Sequence, residues 1–156
     1  MSEFTHLDDR GAARMVDVSG KDISVRTATA AGRVVLSHEV IRLLRDDNLP
    51  KGDALAVARI AGVMAAKRTP DLVPLCHPIA IHGVDVDLEV DDSGVEIRAM
   101  VRTADRTGVE MEALTSVTVA ALALIDMVKA VDPEAVVTDV RVLTKTGGKT
   151  GDWSRS

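Results

Sequence analysis

Two groups of side chains in this chain are suited to binding a polar substrate and moving protons. The first lies in the segment 74–78, where two prolines enclose Cys76 and His77. Because prolines restrict the backbone on either side, the amides and the imidazole between them are positioned at little entropic cost on binding. The second is the pair Asp126 and Lys129, which are three residues apart and therefore share one face of a helix.

Each group also has an ordinary structural interpretation, and both interpretations remain open at this point. On its own, a histidine such as His77 is more often a hydrogen-bonded structural residue in a stiff loop than a functional one. Asp126 and Lys129 fit an i,i+3 salt bridge on a solvated stripe, or an acid-base pair in which the lysine keeps the carboxylate ionised. Cys76 is not expected to be a nucleophile, because the adjacent His77 points elsewhere in an extended backbone and cannot serve as its base.

The Gly-Gly-Lys-Thr sequence at 147–150 resembles part of a nucleotide-binding phosphate loop. Such a loop needs a glycine five positions before Gly148, where Leu143 stands instead. The segment is therefore either a flexible glycine-rich tail or a turn whose amides and Lys149 close over an anion held by other elements. The histidines show no pair at helical ligand spacing and Cys76 has no partner cysteine, so we expect no metal and no other cofactor.

Composition argues against several classes of function. The formal net charge is -5, and the chain has one Phe, one Trp and no Tyr, which disfavours both a basic nucleic-acid surface and a base-stacking platform. The acidic first 20 residues lack the apolar stretch of a signal peptide, and we expect no membrane span. A single cysteine suits a reducing compartment. We therefore expect a cytoplasmic protein that binds neither nucleic acid nor membranes.

The hydrophobic pattern predicts an α+β domain that includes all of residues 1–156. With a short extra helix set aside, the order β-α-β-β-α-β predicts an antiparallel ferredoxin-like sheet with helices on one face. We expect a loose tail at 1–20 and a glycine-rich tail at 147–156. The predicted elements are a strand within 21–36, the short helix 38–46, a helix at 51–68, a hairpin of 84–90 and 95–102, a helix at 110–131 and a strand at 136–144.

The length of the second long helix constrains where a site can lie. Glu112 and Asp126 are 14 residues apart, so they share a face but lie roughly 21 Å apart along the helix axis. Lys51 and Lys67 are separated in the same way on the first long helix. One small substrate cannot touch both ends of either helix in one subunit. The uncovered face of the sheet also predicts self-association, so we expect a site between two copies of the chain.

Several blocks of the sequence together resemble a known family, the cyclic pyranopterin monophosphate synthases, protein C of molybdenum cofactor biosynthesis. The resemblance extends over essentially the whole chain in order. The blocks are Met15 to Ser19 with Lys21, Lys51-Gly52-Asp53, Ala58 to Gly62, Ala65 to Thr69, Pro74 to Pro78, Gly108 to Leu114, Asp126-Met127 with Lys129-Ala130, and Gly147-Gly148-Lys149.

The resemblance implies a ferredoxin-like subunit in a homohexamer made of three dimers, with sites at the dimer interface. It implies conversion of 3',8-cyclo-7,8-dihydroguanosine 5'-triphosphate to cyclic pyranopterin monophosphate and diphosphate. The residues it assigns to catalysis are Asp126, Lys129 and Lys51. Those it assigns to substrate binding are Leu75, Cys76, His77, Met111, Glu112, Lys67 and Lys149. The alternative is a non-enzymatic ferredoxin-like oligomer that binds an anionic, nucleotide-like metabolite, which would use the same lysines without needing Asp126.

Overall fold

The computed structural model describes residues 4–49 and 53–156. Within those ranges the secondary-structure elements follow the predicted order, with two short elements added. The elements are β1 (Ser24–Val35), α1 (His38–Arg45), α2 (Ala54–Lys67), α3 (Thr69–Leu72), β2 (Gly83–Val90), β3 (Gly94–Asp105), α4 (Glu110–Val128), β4 (Val136–Thr146) and β5 (Trp153–Ser154).

The strands form one antiparallel sheet in the order β2-β3-β1-β4-β5. Apart from β5 at the edge, this is the arrangement of a ferredoxin-like fold, and the predicted fold class is confirmed. The alternation of apolar and polar residues sets the register. Val86 lies opposite Ala99, which lies opposite Ala30, and all three are buried. Residues on the opposite face of β2, such as Asp85 and Asp87, are exposed.

Small side chains let α2 and α4 pack closely on the sheet and on each other. A Cβ at Gly32 of β1 would lie 2.7 Å from Cγ1 of Val117 in α4. A Cβ at Gly62 of α2 would lie 3.1 Å from the carbonyl oxygen of Ser116. The core is accordingly built from Val, Leu, Ile and Ala, with Ile97 and Leu124 among its largest fully buried side chains.

Helix boundaries differ from the predicted ones for local reasons. The described part of α2 begins at Ala54, where the Asp53 carboxylate caps the helix by accepting from the Ala56 amide at 3.0 Å. Lys51, at the predicted start, lies outside the described residues. The helix α4 ends at Val128 rather than 131, because the Val131 amide donates to the carbonyl of Val128 in a tighter turn.

Two short elements were not predicted. Thr69–Leu72 forms one helical turn, which proline at its start permits, and the Thr69 hydroxyl donates to the Ala65 carbonyl at 3.2 Å. Trp153–Ser154 adds a two-residue strand to β4 inside the segment expected to be a tail. Chain pairing at a sheet edge depends on tertiary position, so neither the sequence period nor the composition indicated it.

The helix α4 is long and apolar enough, by length and composition alone, to span a membrane. The apolar runs of the sequence predict no such segment. The helix lies on the sheet, with Ala113, Val117, Ala121 and Leu124 fully buried in the core. This is the position of a core helix in a globular domain.

Candidate functional site

A cavity of about 750 Å³ lies where three segments of the chain meet. These are the N-terminal segment, the loop that follows α3, and the start of α4. We call this the main cavity. Its lining residues are Thr5, His6, Ala13, Val16, Val18, Lys21, Val73, Pro74, Leu75, Cys76, His77, Thr107, Gly108, Glu110, Met111 and Glu112. The size falls within the range of small-molecule sites in proteins.

The carboxyl group of Glu112 is the most deeply buried ionisable group of the main cavity. The residue lies in the first turn of α4, is 1% exposed, and accepts a hydrogen bond from the Cys76 thiol across 3.4 Å. Burial raises the pKa of this carboxyl above its ordinary value, and the neighbouring Glu110 acts in the same direction. A buried carboxyl with a raised pKa at a cavity is typical of a functional group rather than a structural one.

Cys76 is held as a neutral thiol. Burial raises its pKa to about 12, and the nearby charge of Glu112 adds to the effect. Since the thiolate is the nucleophilic form, this environment suits a hydrogen-bond donor and not a nucleophile. The geometry therefore agrees with the expectation that Cys76 does not attack the substrate.

His77 joins the loop to the N-terminal segment. Its Nε2 lies 2.5 Å from the carbonyl oxygen of Val16, and because a carbonyl only accepts, Nε2 is the protonated nitrogen in this hydrogen bond. The ring is half-buried. Both open interpretations of this histidine are visible here: it has a structural hydrogen bond, and it also lines the main cavity.

Met111 and Glu110 complete the edge that α4 contributes. Met111 lines the main cavity and is 40% exposed, although the next residue of the helix, Glu112, is buried. Glu110 lies 3.9 Å from the Lys145 ammonium at the end of β4, which links the start of α4 to the sheet. The carboxylates Glu110 and Glu112 also lie in the first helical turn, where they complement the helix dipole.

A second cavity, of about 520 Å³, adjoins the first one at Lys21, which lines both. We call it the basic cavity. Its lining residues are Gly20, Lys21, Asp22, Ser24, Arg26, Gly148, Lys149 and Thr150. Lys149 therefore lies beside a cavity formed by other elements, as one of the two interpretations of the Gly-Gly-Lys-Thr segment required.

Asp126 and Lys129 lie at the other end of α4, where Lys129 is the residue that caps the helix. The Lys129 ammonium donates to an oxygen of Asp126 at 2.7 Å, and the two side chains are 58% and 60% exposed. Neither residue lines the main cavity, so one chain does not bring this pair together with Glu112. Lys67, the last residue of α2, is exposed and lines neither the main nor the basic cavity.

Sequence reasoning missed the contribution of the N-terminal segment to this region. Leu7 pairs with Ala13 in an isolated antiparallel bridge, and Val16 accepts the His77 hydrogen bond. It also did not single out Ser24 and Arg26 of the basic cavity. The residues are scattered singly along irregular chain and the start of a strand, so no spacing could have grouped them before the fold was known.

Comparisons with known proteins agree with the resemblance. The model of the MoaC family matches residues 15–148. A Streptomyces avermitilis protein named cyclic pyranopterin monophosphate synthase is 70% identical over 153 residues, which cover 98% of this chain and 90% of the relative. The cyclic pyranopterin monophosphate synthase 2 of Mycobacterium tuberculosis strain H37Rv is 60% identical, with 98% and 92% covered. The Parvibaculum lavamentivorans synthase is 56% identical, with 97% and 96% covered. The chain belongs to the MoaC family.

Proposed function

We propose that this protein is a cyclic pyranopterin monophosphate synthase of molybdenum cofactor biosynthesis. It would convert 3',8-cyclo-7,8-dihydroguanosine 5'-triphosphate to cyclic pyranopterin monophosphate and diphosphate. The observation that carries the proposal is the convergence of the 74–78 loop and the start of α4 on one cavity, in a chain 70% identical to a relative named for this product.

The main cavity supplies groups suited to hold the polar edge of the guanine-derived ring. Glu112 offers carboxyl oxygens in a buried position, Cys76 a thiol and Leu75 its backbone amide, whereas the Cys76 amide already donates to the Val73 carbonyl at 3.1 Å. His77 and Met111 complete the binding set. Because these groups are already positioned by the loop and the helix, they bind without a large ordering cost.

Acid-base chemistry falls to Asp126, Lys129 and Lys51. Ring opening and reclosure require protons to be removed from and delivered to nitrogen and oxygen atoms. In the last step a sugar hydroxyl gives up its proton to a base and its oxygen bonds to the α-phosphorus. The bond between the α-phosphorus and the oxygen that bridges the α- and β-phosphates breaks, and diphosphate leaves with the electron pair. Lys67 and Lys149 would offset the negative charge of the phosphates.

The active site lies between two subunits in this proposal. Asp126 and Lys129 are exposed, and the helix rise places them roughly 21 Å from Glu112 along α4. Their partners in catalysis must therefore come from another copy of the chain. An apolar stripe of exposed side chains on α2, made of Val57, Ile60 and Met64, supports such self-association. We propose the homohexamer of three dimers that the family resemblance implies.

Cytoplasmic location is the last part of the proposal. The single cysteine, Cys76, is a free thiol next to the substrate cavity, which suits a reducing compartment.

Product analysis tests the reaction directly. The purified protein is incubated with the cyclised nucleotide triphosphate, and the products are identified by mass spectrometry. We expect cyclic pyranopterin monophosphate and diphosphate in equal amounts, and no consumption of plain GTP. Consumption of plain GTP would indicate a nucleotide hydrolase instead. Binding of the cyclised nucleotide without any conversion would indicate the non-enzymatic oligomer.

Variants of the proposed acid-base residues test the assignment. Asp126→Asn and Lys51→Ala should each lower the rate of diphosphate release by a hundredfold or more, on the order of what general acid-base catalysis contributes. Glu134→Gln, an exposed carboxylate beyond α4, is the control for loss of one negative charge. Near wild-type rates for Asp126→Asn in a folded oligomer would refute the role of this residue.

A further inference from the structure

Residues 6–14 of the N-terminal segment fold into a small hairpin. The Asp8 amide donates to the Ala12 carbonyl at 2.8 Å, and the Arg14 amide donates at the same distance to the carbonyl of His6. Every residue of the hairpin except Asp8 is exposed. A hairpin without a buried face is at best marginally stable by itself. Burial in the core therefore does not account for this structure.

One carboxylate holds the turn of the hairpin. The Oδ1 atom of Asp8 accepts from the amides of Ala12 and Arg10, both at 2.9 Å. These bonds lower the pKa of the Asp8 carboxyl, because they favour its ionised form. Gly11 has a φ of 79°, in the left-handed region that favours glycine. Residue types chosen for this turn therefore specify the hairpin locally.

The hairpin orients the imidazole of His6, which lines the main cavity. Its Nδ1 lies 3.3 Å from the carbonyl oxygen of Arg14. Because a carbonyl only accepts, Nδ1 donates in this hydrogen bond. Nε2 has no hydrogen-bond partner in the part of the chain that the structure describes. One ring nitrogen thus fixes the orientation of the ring, and the other is available to a bound molecule.

The same stretch of backbone holds two histidines of the main cavity. The Arg14 carbonyl accepts from His6, and the carbonyl of Val16, two residues further on, accepts from His77 Nε2 at 2.5 Å. Both rings line the cavity. His77 belongs to the proposed substrate-binding set. A second imidazole that this backbone fixes on the same cavity is suited to the same use.

Other polar groups of the main cavity are already engaged with each other or with the sheet. The Cys76 thiol donates to Glu112 across 3.4 Å, and Glu110 lies 3.9 Å from the Lys145 ammonium. In a neutral imidazole whose Nδ1 carries the hydrogen, Nε2 is an acceptor. His6 therefore offers the cavity an acceptor for an N–H or O–H group of a ligand.

We propose that His6 is a further substrate-binding residue, whose Nε2 accepts a hydrogen bond from an N–H or O–H group of the nucleotide in the main cavity. Asp8 is a positioning residue in this arrangement, because it holds the turn that orients the ring. The inference rests on the proposed function. It adds to the binding set a hairpin from a segment that the sequence pattern predicted to be a loose tail.

Two replacements of His6 distinguish this contact from a structural role of the ring. The amide of asparagine lies near the position of Nδ1, so His6→Asn can keep the bond to the Arg14 carbonyl but cannot reach the substrate. We expect its KM for the cyclised nucleotide to rise about threefold to tenfold, with kcat changed less than about twofold. Glutamine places its amide near the position of Nε2, so His6→Gln should lie closer to wild type.

A purely structural role predicts the opposite order, because the hairpin bond survives in His6→Asn and is lost in His6→Gln. His38→Asn is the matched control, since this exposed histidine of α1 does not line the main cavity. Circular dichroism confirms that each variant is folded. The inference is overturned if the KM of His6→Asn stays within about twofold of the control, or if His6→Gln has a KM no lower than that of His6→Asn.

A separate variant, Asp8→Ala, tests whether the hairpin positions the ring. Loss of the turn releases His6, so the KM should rise by about the same factor as in His6→Asn. If Asp8 acts through His6, the double variant should not exceed the larger single effect. Asp9→Ala, which removes the neighbouring exposed carboxylate, is the control. Additive effects of Asp8→Ala and His6→Asn would overturn the positioning role.

Failure of this contact is distinguishable from failure of the proposed function. If the wild type converts the cyclised nucleotide with a KM that does not depend on His6, the contact is wrong and the function stands. If the wild type does not convert it, isothermal titration with the same nucleotide gives the Kd in place of the KM. A Kd that rises in His6→Asn and is restored in His6→Gln supports the contact while the function is wrong. A Kd that does not depend on His6 overturns both.

Discussion

The Cys76 thiol donates a hydrogen bond to the Glu112 carboxyl across 3.4 Å and thereby joins the 74–78 loop to the first turn of α4. The two groups affect each other in opposite directions: burial raises the pKa of the Glu112 carboxyl, and the hydrogen bond from the thiol offsets part of that rise. Glu112 raises the pKa of the thiol, and both groups are removed from water in the wall of the main cavity. The loop and the helix thus present a neutral donor and a buried acid side by side, and the pair can be tested by chemistry that does not depend on turnover.

Alkylation of Cys76 should be slow in the folded protein. With a pKa of about 12, only a small fraction of the thiol is ionised at pH 8, whereas an unfolded cysteine titrates near 8.5. We expect iodoacetamide to react more than a hundredfold more slowly with the native protein than with protein unfolded in urea. The chain has one cysteine, so mass spectrometry reports this site alone.

The same measurement on Glu112→Gln isolates the contribution of the carboxylate. Removing the negative charge lowers the pKa of the thiol, and we expect alkylation to become about tenfold faster while burial keeps it slower than in urea. Glu89→Gln, on the exposed side of β2, should leave the rate unchanged. Equal rates in the folded and unfolded wild type would contradict the buried environment of Cys76.

Stability should depend on pH through Glu112. Its pKa is raised in the folded state, so the native protein holds this proton more tightly than the unfolded chain. The stability that the protonated Glu112 carboxyl contributes is fully present below its ordinary pKa of 4.5. It is lost as pH rises through the higher pKa of the folded protein. Each unit of pKa difference corresponds to about 1.4 kcal/mol. Glu112→Gln should therefore gain stability relative to wild type between pH 4.5 and neutrality.

Urea unfolding at a series of pH values checks this difference. Glu89→Gln is the matched control, because it removes the same charge from an exposed position. The prediction fails if the unfolding free energies of wild type and Glu112→Gln stay parallel across the whole range.

Close packing of β1 against α4 should make Gly32 intolerant of a side chain. A Cβ at this position would lie 2.7 Å from Cγ1 of Val117, closer than packed atoms approach. We expect Gly32→Ala to lower the free energy of unfolding by about 1–3 kcal/mol, the usual cost of overpacking. Gly83→Ala is the control, since its Cβ would meet nothing closer than 3.9 Å.

A double variant separates this clash from a general effect on the strand. Val117→Ala alone leaves a cavity and destabilises the protein. When it is combined with Gly32→Ala, the added methyl group at position 32 occupies space that the Val117 side chain has vacated. The double variant should therefore be more stable than the sum of the single effects predicts. Strict additivity in chemical denaturation would argue against the contact.

Mixing two inactive variants should restore activity if the site is shared between subunits. Glu112→Gln and Asp126→Asn remove residues at opposite ends of α4. In a mixed dimer one site carries both changes and the other carries neither, so random mixing should recover about a quarter of wild-type activity. The subunits are unfolded together and refolded, and diphosphate release is measured.

The control mixture contains two variants from the same end of the helix, Asp126→Asn and Lys129→Ala. Both residues belong to the same half of a shared site, so every site in the mixture contains one change or the other. No wild-type site can form, and the mixture should stay inactive. No recovery in the first mixture would indicate that each chain builds its own site. Recovery in this control would indicate that Asp126 and Lys129 of one chain serve different sites.

The pattern of apolar residues was sufficient to predict the order of the main elements and the ferredoxin-like sheet. Burial of one face of an element imposes a local pattern on its sequence. This pattern is visible as strand alternation in 84–90 and 95–102 and as the apolar run of 110–131. The short strand Trp153–Ser154 was missed, because its pairing with β4 depends on where the chain returns in space. The start of α2 differs from the predicted one because Asp53 caps the helix, and the end of α4 differs because its last turn is tighter.

The sequence by itself determined that Glu112 and Asp126 cannot serve one small substrate within one chain, since the helix rise alone separates them. It also placed Cys76 and His77 together between two prolines. Only the tertiary structure decided that Glu112 is buried and bonded to Cys76, and that Lys21, Ser24 and Arg26 gather with Lys149 around a second cavity. The physical reason is that burial and convergence of charge come from packing between segments distant in the chain, which no local period encodes.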